Sequence, residues 1–508
     1  MELSFPDYFF LGLYFVVVFS IGIFFSRRQK DSTDYFLAGR RLTWWLIGSS
    51  LIAANISTEH FIGMAGSGYQ MGLAISSYEW LAALALILVG KFLLPVFIKN
   101  QIYTMPQFLE IRYNHVVRAI LSVMMMFGYT FIALAAILYA GGLAVHTLFN
   151  IPLTLSIIVL SIIACAYTTY GGLKAVVYTD VIHVFALILG GIIATFLGIR
   201  AIGGFGNLWV TSADKFHMVL PSNHPELPWF GVFVGLWIPN MFYWGCNQFI
   251  TQRTLAAKNI EEAQKGVVFA GYLKLLIPLI VVIPGIIAFS LYSKELPRAD
   301  MAYPYLIKQL VPPGFRGIIF AALVAATVSS LDSLCNSCAT IFTLDIYKRY
   351  INKISTEKRL IVVGRITTVL AVIIATIIAP LLSQFHLIFS YIQKFWGFIS
   401  PGVVVVFFFG IFWKRATSRG AIISLASSIP VYAALQRIVP EMAFLNQMVV
   451  SLIILSLVMI TASYTQKPDY ERAIEMADYR KLIKTTKTFN ITSIILIGIV
   501  ITLYILFF

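Results

Sequence analysis

Charge is scarce in this chain. Of its 508 residues only 12% are Asp, Glu, Lys or Arg, against roughly one-quarter in soluble domains. That shortfall excludes an ordinary water-soluble globule. Histidine is also sparse: seven residues, scattered, with no H-E-x-x-H or comparable spacing. No nucleophile–base pair or clustered set of metal ligands is legible, so an enzyme is not expected. The four cysteines, Cys165, Cys246, Cys335 and Cys338, all lie inside apolar segments. Such placement excludes a disulfide framework, and Cys335-x-x-Cys338 reads as a pair of small packing residues on a helix. Long polar stretches are missing as well. The longest connections run to about two dozen residues, too short for an inserted soluble domain.

What is present is apolar and segmented. Hydrophobic residues make up 59% of the chain, parcelled into runs of roughly 18 to 30, the length that crosses the hydrocarbon of a bilayer. The runs fall near 7–26, 42–66, 74–98, 117–147, 152–170, 176–203 and 228–250, then near 266–293, 316–346, 360–383, 387–413, 419–436, 443–464 and 490–508. They predict an all-α integral membrane protein with about fourteen transmembrane helices. No basic stretch precedes the first run, so it is expected to be a retained helix and not a cleaved signal.

The net charge of +15 sits in short loops, which argues topology and no nucleic-acid partner. Arg27, Arg28, Lys30, Arg40 and Arg41 follow the first segment; Lys99, Arg112 and Arg118 the third; Arg253, Lys258 and Lys265 the seventh. Lys348, Arg349, Lys353, Lys358 and Arg359 follow the ninth, Lys414, Arg415 and Arg419 the eleventh, and a basic cluster from Lys467 to Lys487 the thirteenth. Odd-numbered connections are therefore expected in the cytoplasm and both termini outside, in a multi-pass cell-membrane protein.

Two segments are not plain apolar runs. The second carries Ser49 to His60 with Asn55, Glu59 and His60; the seventh carries Pro239 to Gln248 with Asn240 and Gly245. Each Asn falls about a dozen residues into its segment, and the segments lie five apart in order. Interrupted helices at corresponding places in two halves point to the binding site of an inverted-repeat transporter. Ordinary kinks are the bland reading of each alone. Glu79 and Lys274 also lie at membrane depth, where a lone charge is costly, so each should meet a partner or a wet cavity. With Gln393, Tyr243 and Trp244 they form a set of donors, acceptors and rings suited to a neutral polyhydroxyl solute. In the ninth segment Ser329, Asp332 and Ser333 share a helical face. Their oxygens, with Asp180 of the sixth segment, suit a hard cation.

These stretches resemble the sodium/solute symporter family, in its sodium–glucose cotransporter branch, with bacterial sodium/galactose symporters the nearest likeness. Carrying the resemblance are Ala53 to Ser57, Ser77 to Trp80, Tyr170 to Val176 with Thr179-Asp180, Asn240 to Trp244, Gln252 to Lys258, Val328 to Ser330 and Phe412 to Arg415. The resemblance implies a LeuT-like fold of two inverted five-helix repeats with two broken helices. The repeats would occupy 42–203 and 228–413, joined by an external loop at 204–227. An extra helix and first loop (1–41) would precede them and three peripheral helices (414–508) would follow.

It also implies roles. Asn55, His60, Glu79, Asn240, Tyr243, Trp244, Lys274 and Gln393 would contact a sugar. Tyr243 would be the inner gate, and Met64, Tyr78 and Phe389 the outer one. Sodium, the coupling ion, would meet backbone oxygens of Ala53, Ile56 and Ala326 and the hydroxyls of Ser329 and Ser330. Asp180, Asp332 and Ser333 would form a second sodium site. No organic cofactor is implied; the partners are sugar, sodium and the bilayer. His60 stands where bacterial galactose symporters have Gln and animal glucose cotransporters have His. Asp332 replaces a small or hydroxyl residue. The hexose and the ion ratio therefore stay open, as do inositol transport, a transporter-like sugar sensor and the oligomeric state.

Overall fold

The computed structural model describes residues 3–26, 32–385, 387–473 and 476–508; the loop cations Arg27, Arg28 and Lys30 lie outside them, as does the side chain of Tyr170. Among the described residues the regular structure is helical, because in hydrocarbon each segment must satisfy its own backbone N–H and C=O groups. One isolated parallel bridge joins Leu42 to Ala257. Among the described residues ten helices are long and apolar enough to cross a membrane, or eleven when the bent pair Ile388–Trp396 and Ser400–Phe412 counts as one span.

The expected count of about fourteen differs at three segments, each for a visible reason. The second is split: α2 (Trp44–Asn55) ends at an extended Ile56, and helix resumes at His60. The seventh is split into α3 (Trp237–Met241) and α4 (Gln248–Leu255), parted by an extended Asn247. The fifth lies on the same helix as the sixth. Its expected boundary with the sixth is absent, since helical backbone runs from Leu153 to Ala201 without interruption.

The outward faces confirm the solvent these helices are built for. Ile377 is 70% exposed and Ile494 68%, on helices whose inner faces are packed; large apolar surface of that kind is covered by lipid. Helices that start beside the basic connections are capped by side-chain oxygens of Thr104, Asn114, Asn259, Thr356, Thr417 and Thr486, which satisfy otherwise orphaned N–H groups.

Three long helices enclose the break in α2: Leu153–Ala201, Ile260–Tyr292 and Arg316–Ile341. The last is fixed at its start by Asp7 of the first helix (Phe5–Ser26), whose carboxylate accepts from the N–H groups of Gly314 (3.0 Å) and Gly317 (2.8 Å). On the other side of the break Gly63 lets two backbones meet. A β-carbon there would lie 2.7 Å from Ile388 and 3.0 Å from the backbone of Phe389.

Candidate functional site

Where α2 stops, the chain supplies its own caps. Ser57 Oγ accepts from Glu59 N (3.1 Å), and His60 Nδ1 accepts from Ser57 N (3.4 Å). A π-helical turn, His60–Met64, follows, of the kind often found at functional sites. These irregular residues open onto a cavity, which is how unwound backbone is tolerated at membrane depth.

All eight residues expected to contact a sugar line that one cavity, with Tyr78 and Phe389 at its edge. Lys274 is its electrostatic centre. Its ammonium lies 2.5 Å from Glu79 Oε2, donates to Asn55 Oδ1, and sits 5.0 Å from the ring centre of Trp244. Glu79 Oε1 is 3.5 Å from His60 Nε2. Asn55 in turn donates to the Tyr243 hydroxyl at 3.0 Å. The Tyr243 ring meets Trp244 and Phe249 edge to face, at 5.1 and 5.3 Å. Among the described residues Asn240 Nδ2 and Tyr78 Oη are buried with no hydrogen-bond partner, which leaves two polar groups available to a solute. Tyr78 and Phe389 are T-shaped at 5.0 Å, and Met64 is fully buried one turn beyond His60, outside the cavity lining.

Sequence reasoning missed Glu59, which also lines the cavity. It is seen in the same polar patch as His60 but was given no role.

The expected cation residues gather below the break. Ser330 Oγ donates to the Ala54 carbonyl at 3.1 Å, tying helix Arg316–Ile341 to the end of α2. Ser329 is turned towards Asp180 and donates to its Oδ1 at 2.6 Å. Ser50, also unassigned from sequence, donates to Asp180 Oδ2 at 2.5 Å. Ser333 Oγ donates to the Ser329 carbonyl at 2.7 Å. Asp332 is fully buried on the same helix.

One expectation is corrected here. Arg253 was counted as a cytoplasmic loop cation; it is fully buried. Its guanidinium lies 3.5 Å from Asp180, donates to Ser50 Oγ at 2.8 Å and to Ser333 Oγ, and is anchored to the Phe249 carbonyl at 2.5 Å. The cause is the break at Asn247, which turns α4 inward instead of releasing it into a loop. Arg253 stands within electrostatic reach of Asp332 as well.

Outside the membrane-spanning helices a further buried carboxylate pins the helix that begins at Ile388. Asp300 Oδ2 accepts from the backbone N–H of Ile388 at 3.1 Å, at the start of the helix that carries Phe389 and Gln393. Burial pushes its carboxyl up to about 7. Glu226 of the connection at 204–227 accepts from Ser390 at 3.0 Å on the same helix.

Comparisons with known proteins agree with one another. The family model for the sodium:solute symporter family matches residues 35–427. The chain is 44% identical to the sodium/glucose cotransporter of Vibrio parahaemolyticus over 99% of this chain and 98% of that protein. It is 35% identical to the human sodium/myo-inositol cotransporter 2 over 82% of this chain and 68% of that protein. A solved structure of a substrate-bound, outward-open Na+-coupled sialic acid symporter superposes with a TM-score of 0.83 at 26% identity, covering 92% of this chain and 99% of that one. The chain belongs to the sodium:solute symporter family, as a multi-pass membrane protein that couples a solute to sodium.

Proposed function

We propose that this protein takes up a monosaccharide of the glucose or galactose type, driven by inward sodium movement, through alternating access around the cavity at the two helix breaks. The observation that carries the reading is the cavity's chemistry. Asn55, Glu79, Asn240, Lys274 and Gln393 bring donors and acceptors to one space walled by Tyr243 and Trp244. Hydroxyls on a pyranose need both kinds of group, and its apolar face needs a ring. Among the described residues no arginine lines the cavity to clamp an anion. In the same reading Tyr243 closes the inner path, Tyr78, Phe389 and Met64 close the outer one, and sodium sits among Ala53, Ile56, Ala326, Ser329 and Ser330. Inverted repeats at 42–203 and 228–413 complete it.

Radiolabelled uptake in proteoliposomes, with a panel of sugars and a sodium titration, tests the proposal. We expect saturable glucose or galactose uptake that vanishes when sodium is replaced by choline. Uptake of myo-inositol with no hexose uptake would move the substrate to the second relative's class. Absence of counterflow for every solute in the panel would indicate a sensor.

A further inference from the structure

The cavity holds more negative charge than its own cations balance. Two carboxylates, Glu59 and Glu79, line it together with one ammonium, Lys274. Lys274 is committed to Glu79 at 2.5 Å. His60 Nδ1 lies 3.9 Å from Glu59 Oε1. That nitrogen accepts the N–H of Ser57 at 3.4 Å, so its lone pair is engaged there, while Nε2 faces Glu79 at 3.5 Å. Held this way, His60 directs its N–H to Glu79 and none to Glu59. The Glu59 side chain keeps 15% of its surface open, and it lines the cavity. An unbalanced carboxylate at membrane depth is costly and marks a ligand position.

We propose that Glu59 sets the charge selectivity of this cavity: it favours hexoses that carry a free ammonium group and refuses those that carry a carboxylate. The inference rests on the cavity being the sugar site. A neutral hexose meets Glu59 through hydroxyl donors alone. An amino sugar adds a charge-assisted hydrogen bond and neutralises the surplus charge. A uronic acid brings a second negative charge against Glu59 and Glu79, in low dielectric, with the single ammonium already paired.

The test is competition against labelled glucose uptake in proteoliposomes at saturating sodium, with glucosamine, N-acetylglucosamine and glucuronate as competitors. In wild type, glucosamine should compete at least as well as unlabelled glucose, and glucuronate should fail. In Glu59→Gln the ratio of the glucosamine to the glucose inhibition constant should rise by about tenfold or more, the size of one hydrogen bond to a charged group. The same ratio in both proteins would overturn the proposal, and so would a variant altered only in its sodium dependence, since the missing counter-charge would then be sodium. If the variant does not transport, Trp244 fluorescence of the purified wild type gives a second reading. Glucosamine affinity should fall as pH rises through the pKa of the sugar's own amine, while that of uncharged N-acetylglucosamine stays level; parallel curves would overturn the proposal. Loss of binding for every sugar would instead bring down the sugar reading, and the charge selectivity with it.

Discussion

Lys274 and Glu79 are almost completely buried and lie 2.5 Å apart, so the value of each depends on the other being present. Removing one partner of such a pair typically costs about 3–5 kcal/mol, whereas removing both can be close to neutral. Lys274→Met is therefore expected to lower the thermal midpoint by several degrees, and Lys274→Met with Glu79→Gln to recover most of that loss, with sugar uptake absent in both. Thermal unfolding in detergent checks the first half; a double variant no more stable than the single would sink it. Tyr243 makes a finer case. Its hydroxyl only accepts from Asn55, a bond worth about 1 kcal/mol, while its ring supplies the wall. Tyr243→Phe should keep sugar binding within roughly tenfold and Tyr243→Ala should lose it, by equilibrium binding; equal losses would deny the ring its role. Residues like these were legible because a polar side chain in an apolar run has few explanations. Arg253 was not. An arginine at the end of an apolar run has the same appearance whether the chain next enters water or turns back into the protein, and only the fold shows it beside Asp180.

At the scale of elements the broken helices were visible as Asn, Ser, Gly and Pro set into hydrocarbon, but the exact break was not. Asn240 matched Asn55 in sequence position, yet the extended residue of the second break is Asn247, whose Oδ1 accepts from the Tyr129 hydroxyl. Seven residues separate the two asparagines, and both are equally compatible with a polar patch; which one unwinds is decided by a tertiary partner. The uninterrupted helix from Leu153 to Ala201 was missed for the opposite reason, because Gly171-Gly172 reads as a break and the backbone there stays helical. The pin at Asp300 belongs to this scale too, since it joins the connection before the ninth segment to the helix beginning at Ile388. Burial raises its carboxyl from 3.8 to about 7, so the folded protein holds the proton more tightly than the unfolded chain does. Stability from this residue is then present below the ordinary carboxylate range, falls as pH rises from about 4 to about 7, and is level above that. Asp300→Asn keeps an acceptor for Ile388 and removes the titration. Thermal midpoints measured from pH 4 to 8.5 should fall more steeply in the wild type than in Asp300→Asn between pH 4 and 7, and run parallel above. Curves parallel throughout would show that Asp300 is not buried as a neutral acid.

For the molecule as a whole the question is how many ions accompany each sugar, because that sets the gradient it can build. One inward charge at a potential of about 100 mV supplies roughly 2.3 kcal/mol, and a tenfold sodium gradient adds about 1.4 kcal/mol. Together they support a sugar gradient of roughly several hundredfold, and a second sodium would square that ceiling. Arg253 changes the argument for a second ion without removing it. Asp180 and Asp332 are both fully buried, with the Arg253 guanidinium 3.5 Å and the His183 imidazole 3.7 Å from Asp180. Two carboxyl groups held in one low-dielectric region favour a bound cation. Hydroxyls of Ser329 and Ser333 stand beside it, and such oxygens are what a hard cation takes. Two coupled charges per sugar are therefore expected in the wild type. Asp332→Ala removes one of the two carboxyl groups and should carry one charge per sugar. Reversal potentials of sugar flux in proteoliposomes with imposed sodium and voltage gradients measure the ratio directly. A wild-type ratio of one, unchanged in Asp332→Ala, would refute the second sodium site.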